Sequence, residues 1–192
     1  MKTMHEDRLD ETELSSEEVF SGKLLHLFVD KVKLPNGDGA TREYIKHPGA
    51  VGILPVTEDG SMVFVKQYRY PVHSVIYEIP AGKLEKGEEF LPSAKRELSE
   101  ETGLTADSWT RLTSICTTPG FTDETIHLFL AKGLHQGRQH PDPDEFLDVV
   151  TLPEEKVRQM VLSEDIFDAK TLSALLLYFL KKNPDKKFVI LL

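Results

Sequence analysis

Three glutamates crowd one short segment of the sequence. Glu97, Glu100 and Glu101 lie in the stretch RELSEE, directly after Arg96. On an α-helix, positions i, i+3 and i+4 share a face, so these carboxylates are expected to lie side by side and to repel one another. Hard divalent cations such as Mg²⁺ and Mn²⁺ prefer carboxylate oxygens and often complete their coordination with substrate phosphates. The spacing therefore favours a metal site that handles a phosphorylated substrate.

A solvated acidic helix face is the simpler alternative, because i,i+4 glutamates on an exposed helix cost only about 0.2–0.5 kcal/mol. The segment is predicted to be a helix from about Phe90 to Thr102. Pro92 suits a first helical turn, where its missing N–H does no harm, and Gly103 is typical of a helix end. The strand predicted in VIYEIPAG ends at Gly82, just ahead of this helix. We expect the turn there to bring a backbone carbonyl close to the glutamates.

The pattern of apolar residues predicts further elements on both sides of the helix. Residues 23–47 are expected to form a β-hairpin around the turn PNGDGA, and the acidic stretch up to about Glu18 to be loosely packed. Strands are also predicted in AVGILPV, SMVFVKQYR, WTRLTSICTT, ETIHLFLAKGL and FLDVVTLP, and helices in EEKVRQMVLSE and DAKTLSALLLYFLKK. The terminal KKFVILL has no assigned element. This order of strands and helices predicts an α+β fold with a mixed sheet.

The composition limits the classes of partner. The chain has 192 residues and a formal net charge of −9, with scattered lysines and arginines, which argues against binding to nucleic acid. The longest apolar run, LSALLLYFL, is too short to cross a membrane, and the polar N-terminus is unlike a signal peptide. Cys116 is the single cysteine, so no intrachain disulfide is possible, and we expect a buried thiol. We therefore expect a cytoplasmic protein.

The helix and the loop before it match a longer pattern. Five residues separate Gly82 from Glu88 and seven separate Glu88 from Arg96. The remaining positions are filled in order by Arg96-Glu97-Leu98, Glu100-Glu101 and Gly103-Leu104. This arrangement resembles the complete Nudix box. Membership of the Nudix hydrolase superfamily implies an α/β/α sandwich around a mixed β-sheet. It also implies hydrolysis of a nucleoside diphosphate linked to another group, with Mg²⁺ or Mn²⁺ as the cofactor.

The resemblance also implies roles for the residues of the box. Glu97 and Glu101 are the expected metal ligands, and Glu100 is expected to ligate or to bridge. Ala81 would contribute its backbone carbonyl, as the matching position does in the family. Arg96 is expected to orient the glutamates through charge-assisted hydrogen bonds.

Features outside the box resemble the ADP-ribose pyrophosphatase (ADP-sugar pyrophosphatase) group of this superfamily. Pro119 lies sixteen positions after Gly103, the spacing of a proline that marks the group, although Pro-Gly is also a common turn. The segments KQYRYPV and YEIPAGKLEKGE resemble the ADP-sugar enzymes closely. Arg69 would then contact the diphosphate; alternatively, it is an exposed arginine of an edge strand without a role in binding. Glu78 would face the substrate or the metal; alternatively, it forms an ion pair at the edge of the core.

An acidic loop in HPDPDEFLDVV corresponds to the loop that supplies a catalytic glutamate in the ADP-ribose group. Glu145 is the first candidate for the carboxylate that acts on the attacking water, and Asp144 is the second. A carboxylate beside a metal-activated water needs only to orient it and accept its proton. A solvated acidic loop is the alternative. The segment IFDAKTLSALL also resembles the closing helix of these enzymes.

The resemblance predicts two parts of the chain. Residues 1–47 would form a small antiparallel β unit that exchanges across a homodimer, and residues 48–192 the Nudix hydrolase domain. In the ADP-sugar group the partner supplies part of the adenosine pocket, and Arg42 lies where such contacts occur. Phe28 or Tyr44 would stack on the adenine, because no tryptophan occurs early in the chain.

The expected reaction is hydrolysis of ADP-ribose to AMP and ribose 5-phosphate. Another nucleoside diphosphate sugar, such as GDP-mannose, would use the same machinery. A sensor that binds ADP-ribose without cleaving it is a further alternative, but such modules usually lose glutamates of the box, and this sequence keeps all of them. We expect a small-molecule substrate and a homodimer, with neither nucleic acid nor membrane as a partner.

Overall fold

A computed structural model describes residues 9–140 and 145–182, which contain ten β-strands and three α-helices. The elements in chain order are β1 Thr12–Ser21, β2 His26–Lys33, β3 Gly39–Lys46, β4 Ala50–Pro55, β5 Met62–Arg69, β6 Ser74–Glu78, β7 Ala81–Lys83, α1 Phe90–Thr102, β8 Leu104–Cys116, β9 Thr125–Gln136, β10 Leu147–Leu152, α2 Glu154–Leu162 and α3 Ala169–Lys182. They divide into two compact units. The first contains the chain up to His47 together with Thr118–Glu124, and the second contains the rest.

The first unit is a three-stranded antiparallel sheet in the order β1-β2-β3. Its β2–β3 hairpin confirms the hairpin predicted for residues 23–47. At the turn, the Leu34 N–H donates to the Asp38 carbonyl at 2.8 Å, and Gly37 adopts a positive φ of 94°. Within this unit the Ile45 N–H donates to the carbonyl of Phe121 at 2.9 Å, which ties the segment 118–124 to β3.

Strand β1 contradicts the expectation of a loosely packed N-terminal stretch. It pairs with β2 from Thr12 opposite Lys33 to Ser21 opposite His26. Every residue of β1 is exposed, so the strand has no buried face and therefore no apolar alternation in its sequence. Backbone pairing with β2 places it in the sheet.

The second unit contains two sheets. A four-stranded mixed sheet has the order β7-β4-β9-β8, in which β4 and β9 are parallel and the other neighbours are antiparallel. A three-stranded antiparallel sheet has the order β10-β5-β6. Parallel neighbours need a long crossover, and the chain between β4 and β9 includes α1.

Strand β4 is buried along its whole length because both of its faces are covered. Ala50 and Leu54 pack with residues of α2 and α3. Val51 and Ile53, which point to the opposite face, pack with residues of α1. Helices therefore cover both faces of the mixed sheet, which confirms the predicted α/β/α sandwich. Residues Ala94, Leu98 and Leu104 lie in this second cluster, as members of the core.

Two local expectations are corrected. The strand predicted in VIYEIPAG is divided into β6 and β7, because Ile79 and Pro80 interrupt the pairing. The Pro80 carbonyl accepts a hydrogen bond from the Ile53 N–H at 2.9 Å and leads the chain into β7. Cys116 ends β8 and is exposed rather than buried. The predictions that fall on Asp144 and on KKFVILL lie outside the described residues. None of the described helices has the length and apolar character that a membrane crossing requires.

Candidate active site

Helix α1 carries the crowded glutamates on the side that meets the sheet. Ala94, Leu98 and Glu101 are all buried, and their i, i+4, i+7 spacing places them on one face. The helix ends at Gly103, whose φ of 71° lies in the left-handed region and whose N–H donates to the Ser99 carbonyl at 2.8 Å. The helix bounds predicted from the sequence, 90–102, are those of the structure.

Strand β7 lies directly against the glutamates. A Cβ atom at Gly82 would overlap the carboxylate of Glu97, so a larger residue here would force that carboxylate to move. The N–H of Ala81 donates to Oε2 of Glu101 at 3.0 Å. Backbone and carboxylates therefore share one small space, and the approach of a backbone carbonyl to the glutamates stays a prediction.

Arg96 joins the glutamates of α1 to the preceding loop. Its Nη1 lies 2.9 Å from Oε1 of Glu97 and donates to Oε2 of Glu100 at 2.8 Å. Its Nε and Nη2 each donate to the Glu88 carboxylate at 3.0 Å. The hydrogen bond from Arg96 lowers the pKa of Glu88 to about 2. One guanidinium thus holds three carboxylates, which is the contact expected of an arginine that orients them.

Two of the carboxylates are removed from water. The side chain of Glu97 is 12% exposed and Glu101 is 3% exposed. Burial raises the pKa of Glu97 to about 7 and that of Glu101 to about 8. The two groups also repel each other, and the charge of Glu145 raises both pKa values further. The site therefore concentrates more negative charge than Arg96 alone balances.

This donor set fits a hard divalent cation, because buried carboxylate oxygens with excess negative charge are the ligands such ions prefer. In the residues that the structure describes, no three acidic, imidazole or thiol groups already surround one point. Arg96 engages Glu97 and Glu100, and Glu101 accepts a hydrogen bond from the Ala81 N–H.

Glu145 lies in the loop between β9 and β10, close enough to α1 for its charge to act on Glu97 and Glu101. The start of this loop is fastened to the end of the helix. The Gly137 N–H donates to the Gly103 carbonyl at 2.7 Å, and the His140 N–H donates to the Glu100 carbonyl at 2.9 Å. The charge of the predicted catalytic carboxylate therefore adds to the negative charge of the glutamate helix.

Arg69 and Glu78, which the sequence singled out separately, form an ion pair at the ends of β5 and β6. Nε and Nη2 of Arg69 donate to Oε2 and Oε1 of Glu78 at 2.8 and 3.1 Å. The Nζ atom of Lys170 also donates to Oε1 of Glu78, and it lies 3.2 Å from Oδ1 of Asp168. Lys170 was missed by sequence reasoning. A lysine in the first turn of a helix, where the dipole disfavours cations, was the available signal.

The model of the NUDIX domain matches residues 46–175 of the chain. The chain belongs to the Nudix family. It is 47% identical over 169 residues to an ADP-ribose pyrophosphatase of Bacillus subtilis, covering 87% of this chain and 91% of that protein. It is 44% identical over 167 residues to a methanol dehydrogenase activator of Bacillus methanolicus, covering 86% and 90%. An ADP-ribose pyrophosphatase of Mycobacterium tuberculosis is 40% identical over 134 residues, or 69% of this chain and 65% of that one.

A crystal structure of an ADP compounds hydrolase has the same fold as this Nudix hydrolase. The TM-score is 0.80, with 91% of this chain and 97% of that chain covered and 24% sequence identity. The predicted superfamily, fold class and enzyme class are therefore confirmed. The individual roles assigned to the site residues stay predictions.

Two further residues that the Nudix resemblance singled out lie in the first unit. Arg42 on β3 donates from Nε to Oε2 of Glu11 at 2.8 Å. Pro119 lies in a turn in which the Thr118 carbonyl accepts from the Phe121 N–H at 3.1 Å. Their assignment to substrate binding stays a prediction.

The candidate adenine-stacking residues of this Nudix hydrolase form one cluster in the same unit. The rings of Phe28 and Tyr44 stack with their centroids 5.8 Å apart, and the Lys46 ammonium lies 3.7 Å from the Phe28 centroid. An aromatic face with a cation beside it suits a base, and the assignment stays a prediction.

Proposed function

We propose that this Nudix hydrolase cleaves the diphosphate of ADP-ribose with water and releases AMP and ribose 5-phosphate. The observation that carries the proposal is the pair of buried carboxylates Glu97 and Glu101, whose pKa values the charge of Glu145 also raises, in a chain 47% identical to an ADP-ribose pyrophosphatase. A cluster of buried carboxylates suits a reaction in which a diphosphate and cations neutralise one another.

Mg²⁺ or Mn²⁺ would be held by Glu97, Glu101 and Glu100, with the Ala81 carbonyl as a further ligand. When bound, the cation supplies positive charge to the diphosphate oxygens and eases deprotonation of the attacking water. Arg96 keeps Glu97 and Glu100 in place through its hydrogen bonds to both. Because Arg96 already restricts the side chains of Glu97 and Glu100, these side chains lose less conformational freedom when a cation binds.

The remaining steps belong to side chains around this cluster. Glu145 orients the water and accepts its proton as the oxygen attacks phosphorus. Arg69 donates hydrogen bonds to the diphosphate from the edge of its guanidinium that Glu78 leaves free. The bond between phosphorus and the bridging oxygen breaks, and the products are two monophosphates.

We also infer that the protein is a homodimer. Strand β1 is the edge of its sheet and is exposed along its length, with Leu14, Val19 and Phe20 at the surface. A long exposed edge with apolar side chains is a site for pairing with another chain, and natural proteins rarely leave one uncovered. Residues 1–47 would then act as the dimer-forming part beside the Nudix domain.

The first experiment measures release of AMP from ADP-ribose with Mg²⁺, beside GDP-mannose and NADH. Glu101→Gln tests the helix, and Glu155→Gln, a glutamate on the exposed side of α2, is the matched control. Turnover of ADP-ribose that is lost in Glu101→Gln and kept in Glu155→Gln supports the proposal. Preferential turnover of GDP-mannose would show that ADP-ribose is not the main substrate. Tight binding of ADP-ribose without turnover would show that the protein is a sensor and not an enzyme.

A further inference from the structure

Four charged side chains form a network between β6 and the start of α3. Glu78 is 2% exposed and Lys170 is 7% exposed, so both are almost wholly removed from water. Arg69 and Lys170 bring two positive charges, and Glu78 and Asp168 bring two negative charges. Buried charges are tolerated only when they are paired and hydrogen-bonded, and this set of four is balanced.

Arg69 is anchored by one edge only. Its Nε and Nη2 atoms engage the two oxygens of Glu78, and its side chain remains 42% exposed. Among the described residues, no hydrogen bond engages Nη1 of Arg69. The edge formed by Nη1 and the second proton of Nη2 is therefore available to an anion. A guanidinium held in this way loses less conformational entropy on binding a phosphate than a free arginine does.

Lys170 occupies a position that helix stability does not favour. It is the second residue of α3, where the positive end of the helix dipole repels a cation. Its ammonium is kept there by the carboxylates of Glu78 and Asp168. Asp168 is itself fixed, because its Oδ2 accepts from the Thr171 N–H at 2.9 Å and from the Thr171 hydroxyl at 2.6 Å.

The helix start is also fastened to the strand that carries Glu78. The hydroxyl oxygen of Thr171 accepts a hydrogen bond from the N–H of Ile79, the residue after Glu78, at 2.9 Å. Backbone and side-chain contacts therefore set the position of Lys170 relative to Glu78 from two directions. The orientation of the Glu78 carboxylate depends on both of its cationic partners.

We propose that Lys170 is a positioning residue for substrate binding: it fixes the Glu78 carboxylate and, through it, the Arg69 guanidinium that receives the diphosphate. The inference rests on the proposed function, because it takes a nucleoside diphosphate as the ligand of Arg69. Without Lys170 the network carries a net charge of about −1. Asp168 and Glu101, which already attract Arg69, would then compete with the substrate for its guanidinium.

The test is a double-mutant cycle on ligand affinity. The probe is ADP-ribose with a methylene group in place of the bridging oxygen, so that binding is measured by calorimetry without cleavage, at one fixed Mg²⁺ concentration. We expect Lys170→Met to weaken binding about tenfold when Arg69 is present and less than about twofold in the Arg69→Ala background. With ADP-ribose itself, KM rises in Lys170→Met while kcat changes little.

Lys182→Met is the matched control, because Lys182 lies on the same helix and pairs with Glu154 at 2.6 Å at the opposite end. It should bind the probe like the wild type. Lys170→Arg, which keeps the cation, should recover part of the affinity. Where Lys170→Met does not fold, Glu78→Gln replaces it and should show the same dependence on Arg69.

An equal loss of affinity in both Arg69 backgrounds would overturn the inference, because Lys170 would then act through overall folding or through the glutamates of α1. Failure of the wild type to bind the probe would overturn it as well. Binding that shows the coupling without any hydrolysis of ADP-ribose would refute the proposed reaction and leave the role of Lys170 standing. Hydrolysis of ADP-ribose without coupling between Lys170 and Arg69 would support the proposed reaction and refute the role of Lys170.

Discussion

Gln139 donates a 2.7 Å hydrogen bond from its side-chain amide to the backbone carbonyl of Glu101. The last carbonyls of a helix have no partner within the helix, so this contact satisfies one of them. It also ties the segment before Glu145 to the residue whose carboxylate is the most deeply buried of the cluster. A side chain outside the Nudix box therefore holds the end of the helix that carries the predicted metal ligands.

Replacing Gln139 with leucine should therefore lower kcat about three- to tenfold, because the loop that carries Glu145 loses one of its fastenings. KM should change little. The effect should vanish in a Glu145→Gln background, where the carboxylate to be positioned is absent. Gln159→Leu on α2 is the control, and its kcat should match the wild type. If Gln139→Leu lowers kcat by the same factor in the Glu145→Gln background, Gln139 acts on helix α1 and not on Glu145. Steady-state kinetics of AMP release compares the five proteins: the wild type, Gln139→Leu, Glu145→Gln, the double variant and Gln159→Leu.

Gly82→Ala should abolish metal-dependent turnover, because the new Cβ would overlap the Glu97 carboxylate. The atoms to be displaced are the far end of a flexible side chain, so the free energy of unfolding should change little. Urea unfolding measures the stability and AMP release measures the activity. Gly39→Ala is the matched control, since a Cβ there meets nothing within 4 Å. Retained activity in Gly82→Ala would contradict the placement of Glu97 against the backbone.

The buried carboxylates give the metal-free protein a pH-dependent stability. Burial raises the pKa of Glu97 to about 7 and of Glu101 to about 8, above their ordinary value of 4.5. The folded state then binds more protons than the unfolded state over this range, so stability falls as the pH rises from about 4.5 to about 8. Mg²⁺ should therefore raise the urea midpoint more at pH 8 than at pH 6.

Urea unfolding in EDTA and in Mg²⁺, at several pH values, tests this prediction. Glu101→Gln removes one of the two titrating groups and should flatten the slope of the metal-free protein. Glu155→Gln, on the exposed side of α2, should leave the slope unchanged. If the metal-free protein instead becomes more stable from pH 6 to pH 8, positively charged groups of the protein itself compensate these carboxylates in the absence of a metal ion.

The sequence predicts the parts of this molecule whose signals are local. Helix α1 is bounded by Glu89 and Gly103 as expected, because its end depends on a glycine at the following position. Strand β1 is missed, since a strand exposed on both faces has no alternation to detect. The break between β6 and β7 follows from Pro80, which strand propensity alone does not weigh against its apolar neighbours.

The site divides in the same way. The box residues are recognised because their spacing along one helix and one loop is fixed. Lys170 and Gln139 escape recognition because they reach Glu78 and Glu101 from positions 92 and 38 residues away in the chain. Contacts of that separation depend on how elements pack, and a single sequence carries no direct record of them.

Charge placed on the exposed edge strand should separate the proposed homodimer. Val19→Lys puts an ammonium on β1, the strand that also exposes Leu14 and Phe20, and burying it in an interface without a partner is costly. Light scattering with size exclusion should show a dimer for the wild type and a monomer for Val19→Lys. Glu17→Lys, also exposed on β1, is the control for added charge.

If the partner supplies part of the adenosine pocket, KM for ADP-ribose rises in the monomer while thermal stability of the Nudix domain is kept. A wild type that is already monomeric, or a monomeric variant with unchanged KM, would remove β1 from the substrate site.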